Sequence, residues 1–580
     1  MNHSTHATSW RRWTLIGLIL ALGLNVAIRW HLRAMPLERD EGEYAYAGQL
    51  ILQGILPYKL AFNMKFPGVY FMYAFLMAIF GQSTAGIHIG IFVVTSVTAV
   101  LIFLIGRELL ADSGALIAAI IYICLAALPK AAGLAGHATH FVSLFVCAGV
   151  WALLMGRKGK PNPWWFVSGL AFGLAILMKQ HAVFFPFFIL VWFLWNCFRK
   201  EAAQKVIFSA ILFCAGCVAP FLASAITFAR AGLWHAFIFW TFDYARQYVS
   251  MLPLRAAPGQ FVAGFDPVFE SGIWPWLFGV AGLICSAWAK GNLWHSTLPA
   301  MAPATAGAHP HSQASDEAPP AIRDWRSALP TLVFLAGWAA VVPGFYFRNH
   351  YFLMLLPWLA LLNGAFFQAV GRAFNHQFKA RRCGWLPLCL AAFVVADLMA
   401  NNARMWFDTA PVQLSRRLYP GNPFPEAVQI AGYVKDHSAP ADTVAVLGSE
   451  PEIFFLAHRH SASGYIYVYS LTEPQPLAPR MGKEFISQIE SSRPKYVVFV
   501  NMALSWYSLI LPQSLDYASD IQNWWANYST NYDLVGAVKI SRRKPAQFFW
   551  NDPSLNTSDA TNDDVLIYRR KAVVQRPFIR

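Results

Sequence analysis

Twelve apolar runs, at about 13–33, 66–82, 86–106, 114–130, 137–156, 164–178, 182–198, 206–229, 272–290, 329–346, 349–371 and 383–400, dominate the first 400 residues of this 580-residue chain. A helix needs roughly 20 predominantly apolar residues to cross a bilayer core, and each run approaches that length. A chain with 57% hydrophobic and only 13% charged residues, and a mean hydropathy of +0.41, is not an ordinary water-soluble globule. It reads as a polytopic, mainly helical membrane protein. Its 23 tryptophans suit the many membrane interfaces such a protein must anchor.

The net charge of +15 is not accompanied by a basic cluster interleaved with aromatics, so no nucleic-acid partner is expected. The basic residues gather instead in short loops: GRKGKPNP (156–163), FRKEAAQK (198–205) and RAFNHQFKARR (372–382). The positive-inside rule places these loops in the cytoplasm. Counting outward from them, 130–137, 230–271 and everything after 400 fall outside. Arg11 and Arg12 precede the first run and keep the N-terminus inside, so residues after about 34 are already outside. The run 66–82 then cannot cross, and about eleven spans remain. Residues 34–85 form one large external loop with juxtamembrane helices at about 41–53 and 66–82. In the first of these, Tyr44, Ala47, Leu50 and Ile51 mark one face, and Tyr46, Gln49 and Gln53 the other. The Ala-, Pro-, Ser- and His-biased stretch within 291–327 reads as a disordered cytoplasmic loop.

All eight cysteines lie in or beside apolar runs, and Cys214 and Cys217 read as small helix residues, not a redox pair. After residue 401, the β-rich runs 443–448, 465–470, 495–501 and 533–540 alternate with helical stretches such as 425–437 and 483–492. This alternation predicts an extracytoplasmic α/β domain over 401–580 behind a membrane domain over 1–400. No glycine fingerprint marks a nucleotide cofactor.

The outer loops collect ionisable residues from separate segments. They include Asp40, Glu41 and Lys65 in the first loop, His137 and His140 in the second, and Lys179, Asp243, Arg246, Arg348 and His350 in the others. Charges at a bilayer edge are costly, so a set converging on one face points to a functional site. A carboxylate among cations suits transfer of a sugar from a lipid-linked phosphate: the carboxylate takes the acceptor's proton, and Lys and Arg hold the departing phosphate. Glu43 reads as a solvated surface charge. His137 and His140, at i and i+3, offer two metal ligands, which is too few to assign a metal.

The ordered motifs DEGEYAYAGQLILQGILPY, KFPGVYFMYAFLMAIFG, LAILMKQHAVFF and RNHYFLMLLPWLALLNG resemble the GT-C membrane glycosyltransferases. More closely, they are similar to the protein-mannosyltransferase-like family (glycosyltransferase family 39 type), which includes the bacterial aminoarabinose transferases of lipid A. The resemblance implies a GT-C helical bundle and an inverting enzyme that uses a polyprenyl-phosphate sugar in the bacterial inner membrane. Its acceptor would be a lipid, glycan or protein. It also implies that Asp40 is the catalytic carboxylate with Glu41 beside it, and that Lys65, Lys179, Arg348 and His350 bind lipid phosphate. Tyr44, Tyr46, His140, Tyr244, Arg246 and Tyr351 are candidates for the sugar or lipid groove. Two departures stand out: Lys65 precedes Phe-Pro where relatives have Pro-Pro, and His140 stands near a position that is acidic in many relatives. No cofactor is required, and a divalent metal is left open. A lipid or sugar transporter and a non-catalytic envelope-assembly protein are the alternatives. The first would carry broken helices at the bilayer midplane or an internal repeat; the second would tolerate substitution of Asp40.

Overall fold

The computed structural model describes residues 3–156, 163–198, 203–288, 320–378, 386–506, 514–541, 545–553, 555 and 564–572. The basic stretches 157–162, 199–202 and 379–385, and most of the biased loop (289–319), lie outside the described residues. Helix already begins at Pro320, within the stretch 291–327 expected to be disordered, because the apolar run that follows extends it to Val341.

Five described helices are long and apolar enough to cross a membrane: Arg12–Ala34, Thr84–Leu109, Ala138–Met155, Gln204–Arg230 and Leu386–Asp408. Leu254–Glu270 and Ile273–Ser286 meet at 100° and together would make a sixth. Shorter apolar helices fill the bundle between them. In chain order, the first nine helices are α1 (His3–Trp30), α2 (Arg39–Leu52), α3 (Gly68–Phe80), α4 (Thr84–Leu109), α5 (Asp112–Ala126), α6 (Ala138–Met155), α7 (Trp164–Met178), α8 (Phe184–Phe198) and α9 (Ala203–Arg230). The 13 residues of α3 rise only about 20 Å, short of a bilayer core of about 30 Å.

Buried polar groups and small residues set the packing. On α1, Asn25 Nδ2 donates to Thr95 Oγ1 (3.0 Å) and Ser96 Oγ (2.9 Å) of α4. One turn later, Arg29 donates to the carbonyls of Ala126 (2.7 Å) and Gly133 (2.8 Å), which ties the start of the second loop to the first helix. Helices α7 and α9 approach through glycines. A Cβ at Gly169 would sit 2.0 Å from the Phe213 carbonyl oxygen, and one at Gly216 2.2 Å from that of Phe166. Gly216 lies between Cys214 and Cys217, both of which are free thiols. That stretch is built for helix contact.

A capping box starts α2: the Glu38 side chain accepts from the Glu41 N–H (2.9 Å), and the Glu41 side chain accepts from the Glu38 N–H (3.3 Å). The expected interfacial helix is present, but it has no wet face. Residues 41–50 are all buried, because α3 covers one side and the helix Glu452–Ala457 covers the other. Gly48 lies against Ala74 and Met77, while a Cβ on Gly42 would sit 2.6 Å from the Glu452 backbone nitrogen. Gly42→Ala is therefore expected to weaken this docking by about 1–3 kcal/mol. A lowered thermal midpoint of the solubilised protein would read it out, and an unchanged midpoint would rule out so close a contact.

Among the described residues, the C-terminal region forms a six-stranded mixed sheet in the order β2-β1-β3-β6-β4-β5. Its strands are β1 (Thr443–Leu447), β2 (His460–Ser461), β3 (Tyr496–Asn501), β4 (Tyr532–Lys539), β5 (Gln547–Trp550) and β6 (Asp564–Arg570). The β1 ladders to β2 and β3 are parallel; those joining β3, β6, β4 and β5 are antiparallel. The run 465–470 is not the strand its alternating tyrosines predict. After two paired residues in β2 the chain leaves the sheet edge, and the three tyrosine hydroxyls bond elsewhere. Tyr465 donates to Glu484 Oε2 (2.9 Å), Tyr467 to the Arg39 carbonyl (2.9 Å) and Tyr469 to the Leu504 carbonyl (2.5 Å). One of them reaches the start of α2.

Candidate active site

A cavity of about 1000 Å³ opens where the first turn of α2, the loops at 129–138, 178–184 and 343–351, the segment 240–270 and the C-terminal region meet. One wall is largely aromatic and aliphatic, including Phe184, Trp240, Leu252, Pro267 and Phe347, which suits a lipid chain. The polar end holds Asp40, Lys65, His137, Lys179, Arg348 and His350.

Lys65 is the hinge of that end. Its ammonium donates to Asp40 Oδ1 (2.9 Å) and to Glu43 Oε2 (2.6 Å), and it lies 4.5 Å from the centre of the Tyr44 ring. Its backbone is held by the Tyr58 hydroxyl, which donates to the Lys65 carbonyl (2.7 Å). Glu43 is fully buried and also accepts from the Tyr70 hydroxyl (2.5 Å), so it is not the solvated surface charge expected. The turn of α2 carries it inward beneath Lys65. The Asp40 side chain keeps 26% of its surface exposed, toward the cavity. Burial opposes its ionisation, but the Lys65 ammonium and His137 outweigh that cost and hold the carboxyl well below the usual carboxylate range.

Lys179 caps the end of α7 with its ammonium 4.1 Å from the centre of the Tyr351 ring. Burial pulls its pKa down to about 7; Asp40 opposes the shift, and Lys65 and Arg348 add to it. The Arg348 guanidinium lies 5.4 Å from the centre of the Tyr346 ring. Tyr244 lines the cavity and donates a short hydrogen bond to Glu473 of the C-terminal region. Burial pushes the Glu473 carboxyl up to about 8, opposed by the Tyr244 hydrogen bond and by Arg348.

His137 and His350 stack with ring centres 4.1 Å apart, and one ligand atom from each, with one from Asp40, all fall within 4.8 Å of one another. Among the described residues, neither ring nitrogen of buried His137 has a hydrogen-bond partner, and its Nδ1 lies 3.7 Å from Asp40 Oδ2. The two imidazoles and the carboxylate fit a divalent transition-metal ion, which would polarise an oxygen ligand there.

Four candidates fall outside the cavity lining. Glu41 is fully buried behind the helix and accepts from the Gly136 N–H (2.5 Å), with His88 Nε2 at 3.0 Å. Its turn position points it away from Asp40, toward the second loop. Tyr46 projects to the opposite side of α2, where its hydroxyl accepts from the Ser461 N–H (2.8 Å) and its ring meets Phe454. His140 is buried in the first turn of α6, its Nε2 3.1 Å from the Gly133 carbonyl oxygen. Arg246, two residues beyond the buried Tyr244 and on the short helix Ala245–Val249, is exposed. Conversely, Arg39, Tyr467, Tyr469 and Glu473 line the cavity without having been singled out in the sequence. Three of them belong to the tyrosine run and the turn after it, whose alternation is also that of a strand.

Residues 64–223 match the family model of dolichyl-phosphate-mannose-protein mannosyltransferases. A curated undecaprenyl phosphate-α-4-amino-4-deoxy-L-arabinose arabinosyl transferase of Pseudomonas aeruginosa is 28% identical over 301 residues, 49% of this chain and 51% of that protein. Its counterpart in Pseudomonas paraeruginosa matches at the same identity and coverage. The chain thus spans about half the length of the curated relatives it matches. Among solved structures, ArnT from Cupriavidus metallidurans bound to undecaprenyl phosphate aligns with a TM-score of 0.55 at 13% identity, over 94% of this chain and 99% of ArnT. The oligosaccharyltransferase AglB from Archaeoglobus fulgidus, in complex with an inhibitory peptide and a dolichol-phosphate, aligns with a TM-score of 0.54 at 12% identity, over 94% of this chain and 75% of AglB. The chain is an integral membrane protein with the GT-C fold of membrane-embedded glycosyltransferases, and its residues 64–223 carry the match to the protein-mannosyltransferase family.

Proposed function

We propose that this protein is an inverting glycosyltransferase that moves a sugar from a polyprenyl-phosphate donor to a lipid, glycan or protein acceptor. The reaction would take place on the outer face of a bacterial inner membrane. Residues 1–400 would hold the catalytic bundle, with the N-terminus cytoplasmic, and 401–580 the extracytoplasmic α/β domain. One observation carries the reading: a cavity-facing carboxylate, Asp40, held 2.9 Å from Lys65, with Lys179 and Arg348 lining the same cavity.

In the reaction, the acceptor's oxygen or nitrogen attacks the sugar's anomeric carbon opposite the phosphate. The bond from that carbon to the phosphate oxygen breaks, its electron pair leaves with the polyprenyl phosphate, and the acceptor's proton passes to Asp40. Lys65 has two tasks. In the free protein it suppresses the basicity of Asp40. A phosphate entering the cavity competes for the ammonium, and as the ammonium turns toward it, Asp40 becomes a stronger base when the leaving group is in place. Lys179 and Arg348 take up the charge that develops on the departing phosphate. The purified protein should release labelled sugar from a polyprenyl-phosphate donor and transfer it to envelope extract with no membrane gradient. Donor left intact under those conditions would overturn the proposal.

Lys179 adds a pH signature. Its ammonium is cationic below about 7 and loses its proton above. A bound phosphate favours the charged form, so affinity for polyprenyl phosphate should fall as pH rises from about 7 upward. Lys179→Arg should flatten that dependence, since a guanidinium stays charged throughout. Equal affinity at pH 6.5 and pH 9 in the unmodified protein would count against a phosphate role for Lys179.

A further inference from the structure

The first turn of α2 is held from the C-terminal region by four hydrogen bonds. Arg39 Nε donates to the Ser449 carbonyl (2.6 Å), and its terminal nitrogen donates to Asn422 Oδ1 (2.9 Å) and Glu450 Oε1 (3.2 Å). The fourth comes from the buried Tyr467, whose hydroxyl donates to the Arg39 carbonyl (2.9 Å) and lies 3.4 Å from Asp40 Oδ1. Its ring centre is 6.0 Å from the Lys65 ammonium, so it faces both members of the Asp40–Lys65 pair. The Phe62 N–H, donating to the Gly464 carbonyl (2.7 Å), anchors the tyrosine segment to the same external loop.

We infer that Tyr467 is a positioning residue for Asp40, through which the C-terminal α/β region completes the catalytic centre. The inference rests on the reading of Asp40 as the base. Asp40 Oδ1 faces two polar groups, the Lys65 ammonium and the Tyr467 hydroxyl. When Lys65 turns to a donor phosphate, the hydroxyl is the contact that stays. It can share its hydrogen between the Arg39 carbonyl and the carboxylate, which keeps the carboxylate aimed into the cavity while it waits for the acceptor's proton. The Tyr467 hydroxyl meets the Arg39 carbonyl and Asp40, and removing it leaves the ring beside the Lys65 ammonium in place, so its loss is felt at the chemical step. 

The test uses the full-length protein and a labelled polyprenyl-phosphate donor. Tyr467→Phe, which removes only the hydroxyl, is expected to lower kcat about 5- to 30-fold while KM for the donor stays within about 2-fold. Tyr467→Ala should lower kcat to a similar degree. Tyr465→Phe is the control, since that hydroxyl bonds Glu484 away from the cavity, and it should keep kcat and KM. An unchanged kcat in Tyr467→Phe with a loss in Tyr467→Ala would mean that the ring acts by packing alone, and it overturns the inference. A fall in the Tyr465→Phe control equal to that in Tyr467→Phe overturns it too, because general loosening of the segment would then account for both. Asp40→Asn, run in parallel, separates the two levels. If that variant is inactive and Tyr467→Phe is not impaired, only the positioning role fails; if Asp40→Asn turns over normally, the reading of the base fails with it.

Discussion

Asp40→Asn is expected to abolish measurable sugar transfer, a fall of about 10²- to 10⁴-fold for loss of a general base, while the protein stays folded and still binds donor lipid. The fold should survive because the amide oxygen of Asn can still accept from Lys65, and Glu43 keeps its own contact with that ammonium. Donor binding should hold or tighten, since a negative charge beside the phosphate site has been removed. Single-turnover transfer and polyprenyl-phosphate binding, measured on the same preparation, check both halves. Normal turnover would remove Asp40 from the mechanism. Lost binding with an intact fold would make it part of the donor site instead.

Lys65→Ala should do more than weaken donor binding. It strips the compensating cation from Glu43, whose side chain is 1% exposed, and leaves a buried carboxylate beside the Tyr70 hydroxyl. Removing one partner of a buried ion pair typically costs about 3–5 kcal/mol, so a large drop in thermal midpoint should accompany loss of transfer. Combining Lys65→Met with Glu43→Gln discriminates between the two roles of the lysine. A neutral pair of similar volume should restore most of the stability, yet transfer and donor affinity should remain lost, because no ammonium reaches the phosphate. If the double variant regains transfer along with stability, Lys65 is structural and its assignment to the phosphate falls.

Three acidic residues within four positions of α2 show how far a linear reading reaches. The helix was legible at about 41–53 from its apolar spacing and its stop at Gly54, and the structure places it at Arg39–Leu52. The functional weight of Asp40 came from its place at the start of the first external loop and from a family resemblance. What the spacing could not say is where Glu41 and Glu43 go. A helix turns about 100° per residue, so carboxylates at positions 40, 41 and 43 point in different directions. Which of them meets water, a histidine or a lysine depends on partners as distant as His88, Gly136 and Lys65. The amphipathic reading of α2 failed for the same reason. Its polar face, with Tyr46 and Gln49, pairs with residues more than 400 positions away.

The tyrosine run at 465–470 misled in the other direction, since alternating aromatics fit a strand equally well. Only the packing of other segments of the chain reveals that these hydroxyls serve Glu484, Arg39 and Leu504 instead of facing a sheet. Apolar run length and loop charge are local properties, tied to the bilayer by desolvation of the backbone and to orientation by the positive-inside rule, so a membrane-embedded helical protein could be read from the chain alone. The behaviour of a carboxylate is not local. Burial raises the cost of its charge and a nearby cation repays it, and both arise when segments far apart in sequence close around it. The character of Asp40, the burial of Glu43 and the reach of Tyr467 into the site belong to that closure.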